Sequence, residues 1–378
     1  MNTKVIAIIG CLTSALAVVA YFVSAGNNTK PPATTQTSRL FASANATDIS
    51  RMTISQGEKK VEIVREGTTW LLASRDNYPA IDDRARELVR RVIDAEVIEE
   101  KTSNTKLYAR LGVEGATTPT AKGTLVSLTK ADGSTIASLI IGNRQDAANW
   151  DSEKAATFVR PADSAKSYLV KGTFITGLEP VEWMKREVLT FSPDRFWKAA
   201  ILAPATEAVQ IERATPTATA TLTNLPAGRE LTDANKPQQV LEALANVTLE
   251  DVRKAANLDF SQAAVSTFTT YQGIILTARS TLADGKTWVN FAVAYDKQLA
   301  APLAEGATAP TDETVAVITK EAAELQARLA PWAYQLPDWK VSNIRPLMAD
   351  MLKPLNAPTP QSESAPPSAL PPGLAPPQ

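Results

Sequence analysis

The sequence predicts an α+β fold: two tandem repeats, each an antiparallel sheet with one long covering helix, behind an N-terminal transmembrane helix. Three observations predict it. Residues 5–25 form an apolar run with no charge between Lys4 and Lys30. A helical apolar pattern occurs twice at an offset of 152 residues, and an Asp-Gly hairpin signal recurs at the same offset. The chain of 378 residues is long enough for two domains at roughly 150 residues each.

About 20 apolar residues are what a helix needs to cross a bilayer. Residues 1–26 therefore read as a transmembrane anchor or a signal peptide. The run exceeds the roughly 7 to 15 residues of a signal core, which favours the anchor. Ile8-Ile9-Gly10-Cys11 only faintly resembles a lipoprotein cleavage box, because the apolar run continues well past the cysteine. Residues 27–47, rich in Thr, Ser, Ala and Asn, read as a flexible linker. A long exported body follows its signal largely regardless of loop charge, so we expect a single-pass membrane protein with its body outside the cytoplasm. The tail, residues 354–378, holds nine of the 25 prolines and reads as an extended, solvated segment that no core retains.

Between these ends the spacing predicts a first repeat over 48–187 and a second over 188–353. A helix is expected over 82–98, where Leu88, Val89, Val92 and Ile93 share one face behind Asp82 and Asp83 as capping residues. Its counterpart is expected over 235–247, with Val240, Leu241, Leu244 and Ala245 apolar and Pro237 in the first turn. Asp132-Gly133 and Asp284-Gly285 each suit a turn needing positive φ. Flanking strands then align 123–128 with 272–278 and 136–141 with 288–294. Tyr168-Leu169-Val170 meets Tyr334-Gln335-Leu336 at an offset of 166, the extra residues falling in an Ala/Pro/Glu-rich loop over 299–313. Short alternating stretches upstream of each helix, such as Val61 with Ile63, read as half-buried strands.

Composition narrows the chemistry. One cysteine and no histidine remove Ser-His-Asp and Cys-His catalysis and imidazole-based zinc sites. With 39 basic against 40 acidic side chains there is no global field to attract nucleic acid, so no nucleic-acid partner is expected. No Rossmann or Walker loop and no Gly-x-Ser-x-Gly elbow occurs. Ser103-Asn104-Thr105-Lys106 and Ser127-Leu128-Thr129-Lys130 match Ser-x-x-Lys but lack its companion motifs. The carboxylate pairs Asp82-Asp83 and Glu99-Glu100 are neighbours in sequence that diverge on a helix rather than face each other across a sugar. No catalytic, metal or cofactor residues are therefore expected, and no cofactor. The one candidate contact face is Arg84, Arg86, Arg90 and Arg91 on the first helix, suited to anionic lipid, an acidic polymer or an acidic partner, with Glu87 spaced to pair with Arg91. Trp183, Trp197, Trp332 and Trp339 follow the sheets and read as staples onto them, or as sugar-stacking aromatics.

Several stretches resemble one bacterial family. Val61-Glu62-Ile63, Trp70-Leu71-Leu72, the run Leu107-Tyr108-Ala109-Arg110-Leu111-Gly112-Val113, Thr124-Leu125-Val126-Ser127-Leu128, Ile140-Ile141-Gly142 and Tyr168-Leu169-Val170 look like domain of unknown function 4340. The resemblance implies a single-helix-anchored envelope protein associated with an ATP-driven (ABC-type) export complex, and offers no catalytic residues to carry over. The expected function is a non-enzymatic periplasmic accessory or scaffold. Envelope glycan binding or processing, and lipid binding, are the alternatives.

Overall fold

The computed structural model describes residues 38–145, 155–302 and 310–354. They group into two compact units. The first takes the chain to Leu71 and Ile81–Glu179; the second takes Leu72–Ala80 and everything from Pro180.

In the first unit the strands are β1 (Arg51–Gln56), β2 (Lys59–Glu66), β3 (Thr69–Leu72), β5 (Val97–Glu100), β6 (Thr124–Thr129), β7 (Thr135–Arg144), β8 (Ala156–Pro161) and β9 (Tyr168–Lys171). They run in the order β3-β2-β1-β6-β7-β8-β9-β5, and the registered pairs are antiparallel. Alternation puts one buried row across five strands: Val61 faces Ile54, Ile54 faces Val126, Val126 faces Leu139, and Leu139 faces Pro161. Cross-strand contacts of this kind, period two along each strand, hold a sheet in register.

The short β4 (Tyr78–Pro79) lies in the segment that groups with the second unit. That unit has β10 (Glu187–Thr190), β11 (Phe196–Leu202), β12 (Val209–Glu212), β13 (Thr221–Leu222), β14 (Asn246–Thr248), β15 (Asp251–Lys254), β16 (Ala264–Thr270), β17 (Ile274–Ala283), β18 (Lys286–Tyr295) and β19 (Trp332–Gln335). Its main sheet runs β13-β12-β11-β16-β17-β18-β19-β15. Position by position this is the order of the eight strands of the first unit. The small β10–β14 pair likewise has a counterpart in the bridge between Arg39 and Glu96. A buried row again crosses five strands, through Ile211, Ala199, Phe268, Leu276 and Val293.

The expected fold class is overturned in its helices: antiparallel strand dominates both units, and neither carries the predicted long covering helix. The first helix, Asp82–Ile93, has 12 residues and buries Ala85, Leu88, Val89, Val92 and Ile93. It stops because the chain turns at Asp94 and enters β5, so Ile98 is an exposed strand residue. Its counterpart, Lys236–Leu241, has only six residues. There Ala243, Leu244 and Ala245 are buried outside any helix and Asn246–Thr248 pairs with β10, so tertiary pairing overrides the helical apolar spacing. Among the described residues no helix is long and apolar enough to cross a membrane. Residues 5–25, on which the anchor was expected, lie outside the described residues, as does nearly all of the proline-rich tail.

The longest helix among the described residues, Asp312–Leu329, falls largely beyond the stretch expected as a loop. In the first unit β8 and β9 are joined by a short turn; in the second, this helix separates β18 from β19. It covers the part of β18 that β19 does not pair, and Gln326 Oε1 accepts from the Val293 N–H at 2.5 Å, closing an otherwise open sheet edge. Arg195 donates to Glu321 through Nη1 and Nη2 at 2.7 and 3.0 Å, fixing the helix to the start of β11.

The strand alignment also shifts. By sheet order β6 answers β16 and β7 answers β17, whereas the 152-residue offset matched them to β17 and β18. Asp284-Gly285 turns the next hairpin: both residues have positive φ, and Ala283 faces Lys286 directly, a two-residue turn. Asp132-Gly133 sits in a longer loop in which only Gly133 is left-handed and a bulge follows Leu128.

Candidate functional site

The helix Asp82–Ile93 begins where Asp82 accepts the Trp70 N–H at 2.7 Å, which ties its first turn to β3. Along one side runs a groove of about 430 Å³ lined by Asp83, Arg84, Glu87, Arg91, Thr173 and Ile175. The structure therefore divides the four arginines. Arg84 and Arg91, seven residues apart, share the groove. Arg86, exposed, donates to the Thr68 carbonyl at 2.7 Å, and Arg90, also exposed, pairs with Glu87 at 2.9 Å.

Glu87 is the hub of this face. Arg91 Nε donates to its carboxylate at 2.6 Å, the pair read from the i,i+4 spacing, and this bond leads the causes that hold the Glu87 carboxyl below the ordinary range. Within the groove two carboxylates balance two guanidinium groups, so its formal charge is near zero. Sequence reading missed the far wall, Thr173 and Ile175, which comes from the loop after β9. Its signal was Gly172, at φ +90°, where an added Cβ would lie 2.4 Å from Arg91 Nη1. Only a glycine leaves the guanidinium that seat.

The run from Leu107 to Val113 does a structural task. Tyr108 and Val113 pack with Ile140 of β7, and Leu111, Leu125 and Phe158 join them, so this segment covers the face of the sheet opposite the Ile54 row. The backbone comes very close: a Cβ on Gly142 would sit 2.3 Å from the Leu111 carbonyl oxygen, and one on Gly123 2.8 Å from that of Gly112. Arg160 stacks over the Tyr108 ring at 4.8 Å while donating to the Val113 and Ser164 carbonyls, both at 2.9 Å. Tyr108 Oη donates to the Ala165 carbonyl, and Asn143 Nδ2 to that of Arg110 at 3.1 Å.

The remaining sequence candidates sit apart from one another. Glu99 pairs with Lys101 at 2.6 Å and Glu100 with Lys166 at 2.8 Å on the surface of β5. Ser127 Oγ lies 3.0 Å from Ser138 Oγ across β6 and β7. Trp183 and Trp332 are buried. Trp197 is half-buried, stacks on Tyr271 and donates to Glu212 at 3.2 Å. Trp339 is exposed, with Lys340 Nζ 4.7 Å from its ring centre. No group of three or more acidic or thiol side chains among the described residues is arranged to hold a metal ion.

No curated protein and no solved structure matches the chain. The family pattern described as Domain of unknown function (DUF4340) matches residues 70–263, just over half of the chain, running from β3 through the covering segment 107–113 to the residue before β16. On the strength of that match, the chain belongs to the DUF4340 family.

Proposed function

We propose that the chain is a non-enzymatic accessory or scaffold protein, held at the bacterial inner membrane with both units on the periplasmic side and associated with an ABC-type export complex. The apolar run at residues 5–25 supports the location, and the association rests on what the resemblance of the sequence motifs implies. The observation that carries the scaffold reading is the use of the family's own residues. Tyr108, Gly112 and Val113 fasten a cover to a sheet, and Asn143 and Arg160 hold that cover by hydrogen bonds to its carbonyls. A twice-used sheet order, with both main rows buried, supports the same reading.

The exposed contact face on this reading is Arg86 and Arg90, with Arg84 and Arg91 in the groove beside them. The test is to extract the tagged full-length protein from native membranes in mild detergent and quantify co-purifying proteins against a chain lacking residues 5–25. Anchor-dependent enrichment of transporter subunits that falls in an Arg86→Ala/Arg90→Ala variant is the expected result. Recovery of the protein alone would overturn the association.

A further inference from the structure

The second unit holds a cleft of about 670 Å³, inside the roughly 300–1,000 Å³ range of small-ligand sites. Its floor is the end of the sheet's core face, Ala264 of β16 and Ser280 and Leu282 of β17. Its roof is the C-terminal segment that starts with the helix Asp338–Ile344, and Lys236 closes one side. We propose that this cleft binds a short saccharide. The inference is independent of the accessory role.

Ser280 carries the argument. The residue is 2% exposed, it lines the cleft, and its Oγ has no hydrogen-bond partner within the protein. An orphan buried hydroxyl costs roughly 1–3 kcal/mol unless something supplies the missing bond. Ser266 Oγ, diagonal to it on the same face, is likewise buried and unpartnered. At the rim, Asp338, Arg345 and Asp350 are exposed and carry no ion pair among the described residues.

The chemistry of the lining selects the ligand. Thr287 adds a hydroxyl, and Thr206 and Ser342 add hydroxyls whose protons go to the Ala203 and Asp338 carbonyls and whose lone pairs stay open, beside carboxylate acceptors and cationic donors. A sugar ring, whose every hydroxyl donates and accepts, matches such a mixture, whereas a polyanion would meet two carboxylates and an acyl chain too much polar wall. Leu282 and Leu347, 70% and 39% exposed, offer an aliphatic surface to the C–H face of a ring. An extended peptide would need a free strand edge, but β16 and β17 are paired on both sides. Nor is this a serine nucleophile with a lysine base: Lys236 Nζ donates to Asn343 Oδ1 at 2.8 Å, and Ser280 Oγ receives nothing.

The test uses full-length protein in a detergent without a sugar headgroup, with saturation-transfer NMR against maltotriose, cellotriose, the trimer of N-acetylglucosamine, and trialanine as a peptide control. Saturation transfer to at least one trisaccharide, weakened about tenfold by Ser280→Ala and by Arg345→Ala, is the expected result. Ser280→Ala should keep or raise Tm, so lost binding in that variant is not lost folding. Transfer to trialanine alone, to no probe, or equally in parent and variants would overturn the proposal.

Discussion

Gly142 shows how tightly single residues are specified in the family segment. A methyl group there would meet the Leu111 carbonyl at 2.3 Å and Val113 Cγ1 at 2.7 Å, and neither is the free end of a flexible side chain. Gly142→Ala should therefore force the cover off its sheet at a cost of about 3 kcal/mol, read as a Tm lower by roughly 6–12 °C. An unchanged Tm would mean that the cover is loosely held. Lys340 presents the opposite case. Its side chain is buried, and burial lowers its pKa. With a folded pKa below the unfolded one, the unfolded chain binds more protons between the two, so stability rises as pH rises through that window. Lys340→Met should raise Tm at neutral pH and lose that advantage as pH approaches about 10. A thermal scan at several pH values checks the sign. Such residues were opaque in the sequence because their roles depend on what the chain brings opposite them; the Glu87–Arg91 pair was legible because both partners lie on one helix turn.

At the scale of elements, the first helix was legible because its apolar stripe and its acidic first turn agree with each other. The second was misread in extent because the apolar spacing continues past Leu241 into residues buried for other reasons. Asp-Gly was read correctly as a turn and wrongly as a landmark, since one dipeptide serves a two-residue turn in one unit and a longer bulged loop in the other. The helix Asp312–Leu329 hid behind an Ala/Pro/Glu-rich approach, yet it has a clear start: Thr311 Oγ1 accepts the Thr314 N–H at 3.2 Å, and Asp312 and Glu313 fill the first turn. Thr311→Ala should cost about 1 kcal/mol and Thr311→Asp should restore it. Hydrogen exchange at the Val293 amide reports whether the loss reaches the β18 edge that this helix covers. Protection unchanged in Thr311→Ala would separate the cap from the edge.

At the scale of the whole molecule, two sheets with one strand order argue for duplication more firmly than any residue offset, because insertions moved the offsets while the pairing order persisted. The units are nonetheless not simple halves of the chain, since Leu72–Ala80 leaves the first to complete the second. In that segment Arg75 Nε meets Asp251 at 2.5 Å, Asp76 accepts the Lys254 N–H at 2.9 Å, and Ala80 bridges to Met184. Tyr78 lies edge-on to Trp332 at 5.0 Å and donates to the Lys185 carbonyl at 3.1 Å, and burial pushes its phenol up to about 12. A chain of residues 180–354 alone would leave Trp332 without that ring and Asp251 without its guanidinium. It should therefore be several kcal/mol less stable than the same chain carrying 72–80 on a flexible linker, since a buried aromatic contact, an ion pair and backbone bonds are lost together. Ultraviolet titration reads whether the added segment docks: the Tyr78 phenol should ionise near 12 when seated and near the ordinary value of about 10 when not. Because a raised folded pKa confers stability that is present below the unfolded value, the gain from 72–80 should fade between pH 10 and 12. Equal stability with and without the segment would show that the second unit is complete from residue 180 onward.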